Sequence, residues 1–92
     1  MEIYWTLKAQ GDLERIYRFA LQYSRRHADD VLDRLIVGCA GLSVHPAIGV
    51  QQPRYEPREV RKVLFDDYEI HYEVRNNDLF IVDLWHTKEE RW

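Results

Sequence analysis

The length, composition and charge of the chain limit what it can be. With 92 residues, 46% of them hydrophobic, it is long enough for one packed core, so we expect residues 1–92 to form a single domain. Its apolar runs are far shorter than the ~20 residues of a membrane-spanning helix, and no signal-peptide pattern opens the sequence, which favours a cytoplasmic protein. The formal charge of -3 argues against a dedicated nucleic-acid binder, because phosphate contacts require cations.

The first half of the chain predicts a short strand followed by two helices. Ile3–Trp5 is rich in β-favouring side chains, and Thr6 can cap the helix that follows. Apolar residues at spacings of three and four predict helices over residues 8–23 and 28–42, separated by the polar run at 24–27. Because the connection is short, the two helices should lie antiparallel as a hairpin.

The second half predicts a long loop and three strands. Residues 43–58 hold all three prolines, and the segment between Pro53 and Pro57 should be extended and exposed. The predicted strands cover residues 60–65, 68–74 and 79–85. The last of them is apolar at nearly every position and should be internal in the sheet. The fold class is therefore α+β, with an N-terminal strand, an antiparallel helical hairpin and a three-stranded antiparallel β-meander.

The cysteine and the histidines do not form a metal-binding or catalytic-thiol pattern. Cys39 is the single cysteine and lies in an apolar helical run, which is typical of a small buried side chain. His27 and His45 have no second ligand at the spacing of a zinc site, so we assign no metal and no cofactor. His71 lies between two glutamates on the polar side of a strand, where we expect a solvated ion pair.

The order of elements and several local motifs resemble the ParE/RelE superfamily of toxins over essentially the whole chain. The motifs are Ala9-x-x-Asp12-Leu13-x-x-Ile16-Tyr17, Leu42-x-x-His45-Pro46-x-x-Gly49, Arg61, Tyr68-x-Ile70-x-Tyr72-x-Val74, and a terminal apolar strand ending in His86. The resemblance implies a toxin of a type II toxin–antitoxin pair, held silent by a cognate antitoxin. It also implies a groove between hairpin and sheet, into which an antitoxin segment lays a helix or adds a strand.

The superfamily has two functional branches on one fold, so the site residues must distinguish them. RelE-like toxins cut messenger RNA on the ribosome with basic residues of the sheet, whereas ParE-like toxins inhibit DNA gyrase. Lys62 matches one of the basic RelE positions, but Val60 stands at the other and Glu69 replaces an arginine. A carboxylate there opposes the negative charge that develops during phosphodiester cleavage. We therefore favour the ParE branch, with DNA gyrase as the target and no enzymatic activity.

Two alternatives remain open. The first is a RelE- or YoeB-like messenger RNA endoribonuclease that works on the ribosome. Its candidate catalytic residues are Arg61, Lys62, Glu69 and His86. The histidine could act as acid or base near neutral pH, and its structural interpretation is a hydrogen-bonded residue at a strand end. The second alternative is a degenerate, non-toxic relative that only binds its antitoxin.

Two groups of residues are candidates for contacts with the antitoxin or the target. The first is the densest basic stretch, Arg54, Arg58, Arg61 and Lys62, whose structural interpretation is a solvated strand edge. The second lies in the tail and consists of Lys88, Arg91 and Trp92. Tryptophan and arginine are common anchors of interfaces. Alternatively, Trp92 covers the sheet edge or the helices.

Overall fold

Two helices and five strands form the part of the chain that the computed structural model describes, residues 1–89. In chain order they are β1 (Ile3–Trp5), α1 (Leu7–Leu21), α2 (Arg25–Gly41), β2 (Val50–Gln51), a 3₁₀ turn (Pro53–Tyr55), β3 (Glu59–Phe65), β4 (Tyr68–Arg75) and β5 (Asp78–His86). The sheet order is β1-β5-β4-β3-β2, with β1 parallel to β5 and the other neighbours antiparallel. The predicted α+β class is confirmed, and β5 is internal as expected.

Both helices begin at a capping side chain. Thr6 Oγ1 accepts the Ala9 N–H at 3.1 Å, and Ser24 Oγ accepts the His27 N–H at 3.0 Å. The predicted start of the second helix at residue 28 is therefore wrong, because the polar run at 24–27 supplies its cap and first turn. Neither helix in the described part of the chain has the length and hydrophobicity needed to span a bilayer.

The region predicted as one long loop, residues 43–58, contains two short elements. Val50–Gln51 pairs with β3 as an edge strand. The segment after Pro53 is a 3₁₀ turn, not an extended stretch, because the fixed φ of proline suits the first position of a helical turn. Between β4 and β5, Asn76 and Asn77 have φ values of 52° and 64°, which is typical of a two-residue hairpin turn of type I′.

The core lies between the two helices and one face of the sheet. Its largest fully buried side chains are Leu35, Leu42, Ile70, Tyr72, Leu79, Ile81 and Leu84. Removal of this apolar surface from water is the main favourable contribution to folding. We call the opposite side of the sheet the open face. Because side chains alternate along a strand, it carries Lys62, Glu69, His71, Glu73 and Trp85.

A buried carboxylate joins α1 to β5 where β1 has ended. β1 pairs only with residues 79–81, so the rest of that edge of β5 faces the helix. Asp12, 3% exposed, accepts the Leu84 N–H at 3.1 Å, and Arg15 donates to the Leu84 carbonyl at 3.2 Å. Arg15 and Lys8 also bind the Asp12 carboxylate. Asp12 thus provides the acceptor, and Arg15 the donor, that backbone groups of a longer β1 would have provided for Leu84.

A second buried polar contact fixes the loop that follows α2. The Tyr72 hydroxyl donates to the Pro46 carbonyl at 2.8 Å and accepts the Gly49 N–H at 2.9 Å. A Cβ atom on Gly49 would lie 2.7 Å from this hydroxyl and 2.9 Å from the Lys62 carbonyl oxygen. Glycine is required there because nothing larger fits between the tyrosine and the backbone of β3.

Replacement of Asp12 tests its role at the edge of β5. Asp12→Ala leaves the Leu84 N–H without an acceptor, so we expect the free energy of unfolding to fall by about 2 kcal/mol. Glu14→Ala is the matched control, because Glu14 forms an exposed ion pair with Arg18 and should contribute less than about 0.5 kcal/mol. Urea denaturation measures both. Equal losses in the two variants would contradict the assignment.

Tyr72→Phe tests the loop contact separately. The ring and its packing stay, but two backbone groups lose their partner, so we expect a loss of about 1–3 kcal/mol in the free energy of unfolding. Tyr4→Phe serves as control, since the Tyr4 ring stacks on Phe80 and 47% of the residue is exposed. Thermal and urea unfolding should show the loss in the first variant and almost none in the second.

Candidate functional site

The residues of the nuclease hypothesis lie on opposite faces of the sheet. Arg61 pairs with Tyr72 across β3 and β4, on the face that the helices cover. Its guanidinium donates to the Gly49 carbonyl at 2.8 Å and to the Glu59 carboxylate at 2.7 Å. Lys62, the next residue, pairs with His71 and points to the open face. Two adjacent cations of the sequence therefore cannot act on one phosphate.

Glu69 and His86 are separated in the same way. Glu69 pairs with Trp85 on the open face. His86 pairs with Tyr68 on the helix face, where the two rings meet edge to face at 5.1 Å. The Nδ1 atom of His86 accepts the Lys88 N–H at 3.1 Å, which holds the imidazole in the turn after β5. An acid–base pair between these two side chains would require contact through the sheet.

His71 is buried, contrary to the expectation of a solvated ion pair. It is 6% exposed, and its ring lies edge-on to Trp85 at 4.8 Å. Nε2 is 3.2 Å from a Glu69 carboxylate oxygen, but the angles of this contact do not make a hydrogen bond. Burial lowers the pKa of the imidazole, although Glu69 and Asp83 act in the opposite direction. The sequence pattern did not indicate this burial, because the ring that packs on His71 belongs to Trp85 of the neighbouring strand.

The basic stretch does not form one patch. Arg58 donates two hydrogen bonds, at 2.9 and 3.1 Å, to the buried carboxylate of Glu73. Arg54 lies over the Tyr55 ring at 4.8 Å and donates to its hydroxyl. The Arg58 bonds therefore tie the segment between β2 and β3 to β4, and the Arg61 contacts tie the loop before β2 to β3. The tail candidate Lys88 is exposed, whereas Arg91 and Trp92 lie outside the described residues.

A groove lies beside α1, and we call it the hairpin groove. Its volume is about 590 Å³. The lining residues are Arg15, Ile16, Phe19, Ala20, Tyr23, His27, Tyr68, His86, Lys88 and Glu89. The groove lies between the helical hairpin and the sheet, where the family resemblance implies one. Its lining residues Phe19 and Tyr23 were not among the predicted site residues, although both are aromatic residues off the apolar face of the helix.

The walls of the hairpin groove are aromatic, and its charged lining residues are Arg15, Lys88 and Glu89. Phe19 and Tyr23 meet edge to face, and Tyr23 meets His27 in the same way. Phe19 is 60% and Tyr23 71% exposed, so both rings are in contact with solvent. Burial opposes ionisation of Glu89, but the His86 N–H and the Arg15 guanidinium prevail and lower the pKa of its carboxyl. The acidic residue of the groove is therefore already neutralised by a neighbour.

The ion pair between exposed Arg58 and buried Glu73 on the open face makes a prediction for acid stability. The Arg58 hydrogen bonds hold the pKa of Glu73 below its usual 4.5, against the effect of burial. A depressed pKa adds stability above 4.5 that disappears as the pH falls through the folded-state value. Glu73→Gln removes this titration, so the variant should lose less stability than the wild type between about pH 6 and about pH 3. Urea midpoints across that range measure the difference. Equal acid sensitivity would show that Glu73 titrates as in the unfolded chain.

Comparisons with known proteins identify the family. The family model described as "ParE toxin of type II toxin-antitoxin system, parDE" matches residues 3–91. A search of curated proteins finds no match. Among solved structures, a chain of the "Chromosomal ParDE TA system from P. aeruginosa" is similar, with a TM-score of 0.77 and 20% identity over 94% of this chain and 95% of that one. At that identity the structural match establishes the fold, and the match over residues 3–91 establishes that the chain belongs to the ParE toxin family of type II toxin–antitoxin systems.

Proposed function

We propose that this chain is a toxin that is neutralised by a cognate antitoxin and acts by binding DNA gyrase, not by cutting messenger RNA. The observation that carries the choice of target is the division of the nuclease candidates between two faces of the sheet. Arg61 and His86 lie on the helix face, and Lys62 and Glu69 lie on the open face. Membership of the ParE toxin family supports the assignment of the chain as a toxin.

Phosphodiester cleavage needs its groups around one phosphate. A base must reach the 2'-hydroxyl, an acid must reach the leaving oxygen, and cations must face the charge that develops. In this chain Arg61 donates to the Gly49 carbonyl, and the Nδ1 atom of His86 accepts the Lys88 N–H. Neither side chain is therefore directed at a common phosphate. The formal charge of -3 adds no general attraction for RNA. A binding function requires none of this chemistry.

Exposed apolar side chains support an obligate protein partner. They are spread over the helices and the loop after α2 and include Leu7, Phe19, Tyr23, Val37, Val44 and Ile48. Where such side chains form a contiguous patch, the patch marks an interaction site. An antitoxin that orders as it binds would cover such surface and hold the toxin inactive.

One observation favours the alternative of ribosome-dependent cleavage. Lys62 and Glu69 share the open face and flank His71, whose Nε2 atom approaches the Glu69 carboxylate at 3.2 Å. A nuclease site confined to this face would have one cation and one base, without Arg61 or His86. It therefore predicts sensitivity to Lys62→Ala and Glu69→Gln but not to His86→Ala.

Induced expression followed by two assays on the purified protein separates the alternatives. We expect growth arrest that co-expressed antitoxin relieves, loss of supercoiling by DNA gyrase, and intact messenger RNA on programmed ribosomes. Lys62→Ala and His86→Ala should keep full inhibition of gyrase, because neither residue then performs chemistry. Cleaved message that disappears in Lys62→Ala would overturn the gyrase proposal. Normal growth on expression would instead favour a non-toxic relative that only binds antitoxin.

A further inference from the structure

His71, near the middle of the open face, holds a buried nitrogen atom that has no hydrogen-bond partner. The residue is 6% exposed, and among the described residues its Nε2 is the one buried side-chain nitrogen or oxygen left unpaired. Buried polar atoms are nearly always paired, because an unpaired one loses its bonds to water without replacement. An imidazole can gain a proton close to neutral pH, so the unpaired atom belongs to a group that can change its charge.

Charged side chains surround this imidazole on the three central strands of the open face. They are Glu69 and Glu73 on its own strand, Lys62 on β3, Asp83 on β5, and Arg54 in the segment between β2 and β3. Two of the carboxylates already bind a cation, since Glu73 accepts from Arg58 and Asp83 accepts from Lys8. The Glu69 carboxylate has an oxygen 3.2 Å from Nε2 of His71, so it is the acid placed to respond to a proton there.

Each protonation state of His71 has a cost in this site. In the neutral state Nε2 forms no hydrogen bond with Glu69 at the observed angles. In the charged state both ring nitrogens can donate, but the charge must be held where the strands and the Trp85 ring exclude water. Burial lowers the pKa of the imidazole below its usual 6.5, and the charges of Glu69 and Asp83 limit the decrease.

We propose that His71 and Glu69 form a proton-sensitive contact that weakens the fold in mild acid. At neutral pH the imidazole is neutral and packs edge-on against Trp85. As the pH falls, the unfolded chain takes up a proton at His71 before the folded chain does, so protonation favours unfolding. Because one proton is involved, the ratio of folded to unfolded chain falls by at most about tenfold per pH unit. The inference concerns the fold and does not depend on binding to gyrase.

Two measurements on the full chain test the titration of His71. We follow the ring by proton NMR and the urea midpoint by fluorescence, from about pH 7.5 to about pH 5. The ring should titrate below 6.5, and the urea midpoint should fall as the pH decreases. His71→Gln removes the titrating group, identifies its NMR signal, and should show a smaller fall. Glu73 does not contribute in this range, because its pKa lies below 4.5.

A matched pair of variants tests the part played by Glu69. Glu69→Gln keeps the size of the side chain but removes the counter-charge, so the ring of His71 should titrate at a lower pH than in the wild type. Glu14→Gln makes the same change in an exposed ion pair of α1 and should leave the titration of His71 unchanged. A ring that titrates at or above 6.5, or equally in wild type and Glu69→Gln, would overturn the proposal. Wild-type acid sensitivity in His71→Gln would also overturn it, and the NMR comparison decides if that variant does not fold.

Discussion

The contact of Asp12 and Arg15 with Leu84 is the interaction on which the arrangement of helix and sheet depends. β1 covers only three residues of β5, and beyond them the strand would expose an N–H and a carbonyl to the underside of α1. An ion pair on the helix satisfies both groups, so the helix lies against the strand edge at a fixed height and register. Asp12 and Arg15 therefore have a structural role, because they fix the position of α1 against β5.

Much of the fold followed from hydrophobic periodicity, whereas the site did not. The helices, the meander and the internal position of β5 could be predicted because each buries a regular apolar pattern. β2 could not be predicted, because a strand of two residues is too short to show an alternating pattern. The first turn of α2 could not be predicted from periodicity either, because its residues are polar. The burial of His71 and Glu73 depends on partners from distant elements, Trp85 and Arg58, which no local pattern reports.

The basic residues show the same limit more sharply. In the sequence, Arg58, Arg61 and Lys62 read as one positive stretch. In the structure the first binds a buried carboxylate, the second binds loop carbonyls, and the third points to the open face. Alternation along a strand separates neighbours in sequence, so charge density along a chain is a poor guide to charge density on a surface. The hairpin groove, by contrast, assembles its lining from α1, the start of α2, the start of β4 and the end of β5 with the turn that follows it.

The pairing of β1 with β5 also governs when the protein can form during its synthesis. Residues 3–5 find their partner only at residues 79–81, and Asp12 finds Leu84. In a nascent chain α1 can pack on α2 early, but β1 and the side of α1 that contacts β5 lack their native partners until β5 has been synthesised. Such long-range contacts slow folding, because the loop must close before they contribute. During that interval the side of α1 that contacts β5 is exposed to solvent.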